Sequence, residues 1–286
     1  MSPETPQAMY RVRHHYRYVY NSPIQDVKQR LVMIPPDRHG DQTLLSFDLE
    51  VRGTSGALEV FWETDGFGNR VHCVKAERVE HALDFEARFE VSRGGATRAA
   101  WPSTPVGLLP SFTALTAPDE RIHAVARSIE TRAETVGSAV ELAHDWTASS
   151  IAYRVGVTGT QTPAAMALHL GLGVCQDYAH IMLSLLRCLG IPARYVSGHL
   201  LGEGAPHAWV EAVIESNGQQ SVVAYDPTHH RPANRNYITV GIGRDFADVT
   251  NTSGVFNGAA TGRLHWSKHA ERIEALGSKE VAEAAA

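Results

Sequence analysis

Gly171-Leu172-Gly173-Val174-Cys175-Gln176-Asp177-Tyr178 runs on through Ala179-His180-Ile181-Met182-Leu183-Ser184-Leu185-Leu186-Arg187-Cys188-Leu189 and stops at Gly190-Ile191-Pro192. Ala179, Met182, Leu183, Leu186 and Leu189 recur at intervals of three and four, so Val174 to Leu189 reads as an amphipathic helix ended by glycine and proline. The glycine-rich turn ahead of it puts Cys175 in the first helical turn. A thiol there meets the positive end of the helix dipole and backbone N–H groups with no partner inside the helix. Both favour thiolate over thiol and lower the expected pKa of the cysteine. The same N–H groups can hold the oxyanion of a tetrahedral intermediate. Cys188, beside Leu185, Leu186 and Leu189, reads as an ordinary core cysteine.

A nucleophilic cysteine needs a base, and the base needs an orienting group. His207-Ala208-Trp209-Val210-Glu211-Ala212-Val213-Ile214 leads to Asn217-Gly218, the preferred centre of a type I′ turn, and Gln219 to Asp226 returns. A two-residue loop sets Ser216 against Gln219, Trp209 against Asp226 and His207 against Thr228. These side chains then leave one face of the ladder. Asp226 becomes the diagonal neighbour of His207, about 7–8 Å away between backbones, which the side chains can close to a hydrogen bond. A carboxylate placed there would fix the imidazole tautomer and stabilise imidazolium. The plainer alternative is a strand-edge histidine and a strand-ending Asp226-Pro227 turn, and a single bulge would spoil the shared face.

Around this centre the period of the sequence changes. Tyr10 to Tyr20, Thr43 to Val51 and Leu83 to Val91 alternate as half-buried strands do. Ala57 to Trp62 and Arg70 to Ala76 flank Asp65-Gly66-Phe67-Gly68-Asn69 as a hairpin. The first hundred residues therefore suggest an antiparallel β-sandwich, and Ser92 to Pro110 a connection. Helical spacing begins near Pro118, with one helix over Ala139 to Ile151 and another opened by Thr162-Pro163. Arg194 to Leu201, His207 to Glu215 and Ser221 to Tyr225 read as strands. The last twenty residues, rich in Ala, Glu and Lys, suggest a frayed or partly helical tail. The expected organisation is a β domain over 1–100, an α+β core over 101–262 and a tail over 263–286.

Composition excludes several classes. Apolar residues make up 43% and charged residues 20%, with a net charge of −5 and no basic stripe for nucleic acid. No phosphate-binding loop is present. Met1 to Ala8 lacks the regions of a signal peptide, and no apolar run approaches the roughly 18 residues of a membrane span. Three scattered cysteines suit a reducing compartment, so a cytoplasmic location is expected. A metal is not expected. Cys175, His207, His229 and His230, or His14 and His15, lack metal-site spacing, and adjacent histidines on a strand diverge. His229 and His230 read as rim residues, and Asp245 with Asp248 as a solvated loop rather than a calcium site. Gln176 and Trp209 are the expected substrate contacts, although Trp209 could simply pack. Tyr153, Gln161 and His169 are candidates for a second oxyanion donor.

The same segments carry a family resemblance. Gly173 to His180, then Leu186 to Gly198, resemble the core of bacterial transglutaminase-like proteins. His207-Ala208-Trp209-Val210-Glu211 and Tyr225-Asp226-Pro227-Thr228 resemble that family's second and third motifs, and Gly243 to Val249 a further one. The first ninety residues resemble the β domain that precedes this core. The resemblance implies a papain-like α+β core, a Cys175-His207-Asp226 triad and no cofactor. It leaves the reaction open among amide hydrolysis, acyl transfer to an amine and a non-catalytic scaffold. Hydrolysis of a protein or peptide through a thioester is the expected chemistry, and oligomeric state is left unassigned. Family members often continue into terminal strands, whereas Leu264 to Ala286 is short and charged.

Overall fold

A computed structural model describes residues 8–94, 111–216 and 219–273. Most of the expected connection before Pro110, the Asn217-Gly218 turn, residues 1–7 and residues 274–286 lie outside the described residues.

The antiparallel β layer ahead of the core joins into one seven-stranded sheet. Its members are β1 (Ala8–Tyr20), β2 (Ile24–Leu31), β3 (Arg38–His39), β4 (Gln42–Thr64), β5 (Arg70–Arg93), β13 (Thr252–Asn257) and β14 (Gly262–Ile273). β4 covers one edge of β5 along its length, while β1 and β2 lie end to end on the other. The line is broken at mid-strand, where β4 shifts register around Gly53 and Gly56, both with positive φ. A Cβ on Gly53 would lie 2.0 Å from the carbonyl oxygen of Ala82, so only glycine permits this approach. Asp65 to Asn69 makes the expected turn, with Thr64 facing Arg70 and the Asp65 carboxylate accepting from the N–H groups of Phe67 and Asn69.

The tail expectation is corrected for residues 263–273. β14 pairs with β1 from Tyr20–Gly262 to Met9–Ile273, and β13 pairs with β2. Its charged, mostly exposed side chains hide the strand from a hydrophobicity reading, because an outer edge strand is held by main-chain pairing.

The second half is the expected α+β core. α1 (Glu120–Arg132), α2 (Val136–Ser150), α3 (Ala164–Leu170) and α4 (Cys175–Cys188) accompany the short parallel pair β6 (Ala152–Tyr153) and β7 (Leu172–Gly173). A five-stranded sheet runs in the order β11 (Arg231–Pro232), β10 (Gln219–Asp226), β9 (Pro206–Ser216), β8 (Ala193–Leu200), β12 (Tyr237–Gly243). α4 is buried from Gln176 to Arg187 and shares one apolar cluster with Tyr195, Ala208, Val210 and Ala212 of β8 and β9. Pro163 itself occupies the N-cap position of α3, and Thr162 accepts from the Gly159 N–H instead of capping that helix.

Two side-chain amides dock the β layer on the free edge of β12. The Asn69 amide donates to the Ile242 carbonyl (2.7 Å) and accepts from its N–H (2.8 Å). Gln42 pairs with Thr239 in the same double fashion (2.8 and 2.9 Å). They act as an extra strand beside a register shift between Thr239 and Gly241. Asn69 is fully buried, so Asn69→Ala leaves both polar groups of Ile242 unpaired and is expected to cost about 2–4 kcal/mol, read by urea unfolding. A loss below about 0.5 kcal/mol would mean the dock contributes nothing.

Candidate active site

α4 begins at Cys175 and is tied down by Asp177, whose Oδ2 accepts from the Val174 N–H (2.7 Å) and the Thr158 hydroxyl (2.7 Å). A Cβ on Gly173 would lie 2.7 Å from that of Asp177, which explains the glycine immediately before the cap. Cys175 is half-buried. Gln176, expected as a substrate contact, donates its amide to the Thr160 carbonyl (3.2 Å) and holds the 158–160 loop against the helix start.

The hairpin register expected from the turn is observed, with Gln219 facing Ser216 and Tyr225 facing Val210. His207 Nε2 lies 2.8 Å from Asp226 Oδ2, and Asp226 is fully buried. Burial works against charge on His207, but hydrogen bonds with Asp226 and Cys175 outweigh it and raise the imidazole pKa to about 10. Burial likewise raises the Asp226 carboxyl, and contacts with His207, Tyr237 and His229 reverse this and hold it below the usual carboxylate range. His207 thus bridges the cysteine of α4 and the carboxylate of β10, an arrangement able to activate a sulfur and return a proton to a leaving group.

Other contacts escaped the sequence reading. Asp226 Oδ2 also accepts from the Tyr237 hydroxyl (2.7 Å) and faces His229 Nδ1 (2.7 Å), while Oδ1 accepts from the N–H groups of Thr228 (2.9 Å) and His229 (3.2 Å). The last two form an Asx turn, for which Asp226-Pro227-Thr228 was the available signal. His229 is therefore part of the site, its Nε2 lying 2.8 Å from Glu203 Oε1. Glu203, on the β8–β9 turn, also approaches His207 Nδ1 at 3.7 Å. His230 turns away to Asp145 on α2 (2.8 Å).

Trp209 is buried, stacked beside His207 (6.3 Å) and edge-on to Tyr237 (5.3 Å), so it supports the imidazole from behind and does not offer a substrate surface. At Gly198 a Cβ would lie 2.0 Å from the Ile238 carbonyl oxygen and 2.7 Å from this indole, so both require glycine there. Of the three oxyanion candidates, Tyr153 lines a cavity of about 480 Å³ with Glu203, His207, Thr228 and His229; Gln161 and His169 are exposed elsewhere. Tyr153 pairs with Gly173, two residues before Cys175. Burial raises its hydroxyl pKa, as do the negative potentials of Cys175 and Glu203.

Cys188 is corrected from core to core margin, half-buried with its sulfur 3.7 Å from His123 Nδ1. The Gly243–Val249 segment is a packed turn rather than a solvated loop: Asp245 is buried and accepts from the Ala247 N–H, and Asp248 is held by Arg244 at 2.9 Å. Among the described residues no helix is long and apolar enough to cross a membrane, and all three cysteines are free.

Comparison with known proteins bears on the fold and its family likeness. The transglutaminase-like superfamily profile matches residues 123–227, and the bacterial transglutaminase-like N-terminal region matches residues 10–92. An uncharacterised protein of Mycobacterium leprae is 40% identical over 156 residues, 51% of this chain and 54% of its own length. One of Mycobacterium bovis is 36% identical over 115 residues, 36% of this chain and 37% of its own. The matches thus span about half the length of these relatives or less. A crystal structure of a candidate cysteine protease from Cytophaga hutchinsonii has the same fold, with a TM-score of 0.74 at 22% identity, covering 96% of this chain and 94% of that one.

Proposed function

We propose that this chain, which carries a transglutaminase-like core behind a bacterial transglutaminase-like N-terminal region, is a cysteine-dependent amide hydrolase acting on a protein or peptide. The observation that carries the reading is the continuous contact from buried Asp226 through His207 to the sulfur at the start of α4. The Cys175 thiolate attacks the carboxamide carbon, and the first-turn N–H groups, with the Tyr153 hydroxyl as second donor, receive the oxyanion. His207 Nδ1 gives its proton to the departing amine, leaving a thioester on Cys175. Water then attacks the thioester while His207 takes its proton, releasing the acid and restoring the ion pair. Gln176 serves the substrate indirectly, through the loop it holds. The three free cysteines support work in a reducing compartment such as the cytoplasm.

Water is taken as acceptor because the polar side chains of Glu203 and His229, which line the cavity, are open to it. The test is a tryptic casein digest in ¹⁸O-labelled water, with and without a primary alkylamine, and Cys175→Ala as control. Labelled carboxylate that depends on Cys175 is expected. Amine incorporation in its place would make the enzyme an acyltransferase, and no Cys175-dependent product from this or a glutamine- and asparagine-rich peptide set would favour a scaffold.

A further inference from the structure

A second cluster stands behind the first, and the proposed hydrolysis does not use it. His144 and Asp145 on α2 meet His230, which follows β10. His230 Nε2 lies 2.8 Å from Asp145 Oδ1, His144 Nδ1 lies 3.4 Å from the same oxygen, and one donor atom from each residue falls within 4.8 Å of the others. We propose that these residues form a binding site for a divalent transition ion of the zinc class, with the imidazoles of His144 and His230 and the Asp145 carboxylate as ligands.

Three observations support it. First, the tautomer is set. His144 Nε2 faces the Asp226 backbone carbonyl at 3.3 Å, and a carbonyl only accepts, so Nε2 carries the hydrogen and Nδ1 presents its lone pair to the cluster. A backbone carbonyl that accepts from the far ring nitrogen in this way typically orients a metal-bound histidine. Second, His144 is buried and the Tyr225 ring lies against it at 4.7 Å, tilted by 36°, so one ligand is fixed before any ion arrives. Third, His230 has φ +51, one of two non-glycine residues in the left-handed region among those described. This conformation is sparsely populated for a residue with a Cβ and persists where the surroundings hold it, and here it carries the ring back toward α2. Asp145 and His230 are exposed on their outer sides, which leaves an approach for the ion and room for water as a fourth ligand.

Two nitrogens and one oxygen suit zinc, and cobalt(II) as its spectroscopic substitute, far better than calcium or magnesium. The site shares the Asp226 main chain with the proposed active centre but none of its side chains. It therefore stands or falls independently of the hydrolase reading.

Cobalt(II) titration of the full chain, followed by visible absorption, tests it. One equivalent is expected to bind with tetrahedral d–d bands and no thiolate charge-transfer band. Asp145→Asn and His230→Ala are expected to weaken binding by at least about tenfold each, consistent with loss of one ligand. Both residues are exposed, and an unchanged thermal melt of the metal-free variants confirms their folding. Cys175→Ala is expected to leave binding as it was. Absence of binding at millimolar cobalt, or binding unaffected by both ligand substitutions, overturns the proposal. A charge-transfer band that disappears in Cys175→Ala also overturns it, because the ion then sits on the catalytic sulfur.

Discussion

Asp226→Asn should lower turnover by about three to four orders of magnitude, on the scale of triads that lose their buried carboxylate, while leaving the chain folded. The reason lies in how fully that carboxylate is occupied. Its two oxygens accept from the Tyr237 hydroxyl and two backbone N–H groups and face a ring nitrogen each of His207 and His229. An amide has one oxygen where the carboxylate has two. If the oxygen faces His207, the NH₂ meets the N–H groups of Thr228 and His229; if it faces them, the NH₂ meets His207 and Tyr237. Either rotamer opposes donor to donor, and His207 loses the partner that sustains its charge. Until a substrate is known, the second-order rate of iodoacetamide with Cys175 at neutral pH is the accessible readout, expected to fall by at least about tenfold. Equal rates in the variant and the parent would remove Asp226 from the account.

Acid should unfold the chain well above the range where most domains fail. His14, His72 and His180 are buried, and burial pulls their pKa values down to about 3, 4 and 3. His199 is shifted well down for the same reason. Among the described residues neither ring nitrogen of His14 or His199 has a hydrogen-bond partner, and the two rings meet edge to face at 5.1 Å between β1 and β8. His180 Nε2 accepts from the Phe246 N–H, a bond that protonation would abolish. The sign follows from linkage. A histidine held neutral in the fold takes up its proton only on unfolding, so stability falls as pH drops below about 6.5 and continues to fall toward the folded pKa values of about 3–4. Each of these three contributes a loss on the order of 2 kcal/mol by pH 5. Their sum approaches the whole stability of a typical domain, about 5–15 kcal/mol. A thermal melt is expected to drop by roughly 10–20 °C between pH 7 and pH 5. His14→Phe, which keeps a ring and removes one titration, should recover part of that drop. An unchanged midpoint across this window would show that the buried histidines are hydrated.

The parts legible in the sequence were those governed by local rules. Helix α4 followed from its three- and four-residue apolar spacing, and the His207–Asp226 pairing from turn length and strand parity. Other features depend on groups far apart in the chain. β14 is invisible to a hydrophobicity reading because its pairing with β1 uses main-chain atoms. Trp209 shares a face with His207, but that does not say whether the face meets solvent or Tyr237. Glu203 reaches the site only because the β8–β9 turn brings it to His207 and His229. Asp245 and Asp248 resembled a solvated loop until Arg244 and the turn's own N–H groups accounted for them. Cys188 has Leu185, Leu186 and Leu189 for neighbours in sequence, yet the last helical turn emerges beside His123 at the margin of the core.

Competitive alkylation tests the central claim most directly, since burial raises the pKa of both other thiols, Cys73 and Cys188. Limiting iodoacetamide at pH 7, followed by peptide mass mapping, should place the first adduct on Cys175, ahead of the other two by at least about tenfold. An adduct forming on Cys73 or Cys188 as fast as on Cys175 would contradict the account.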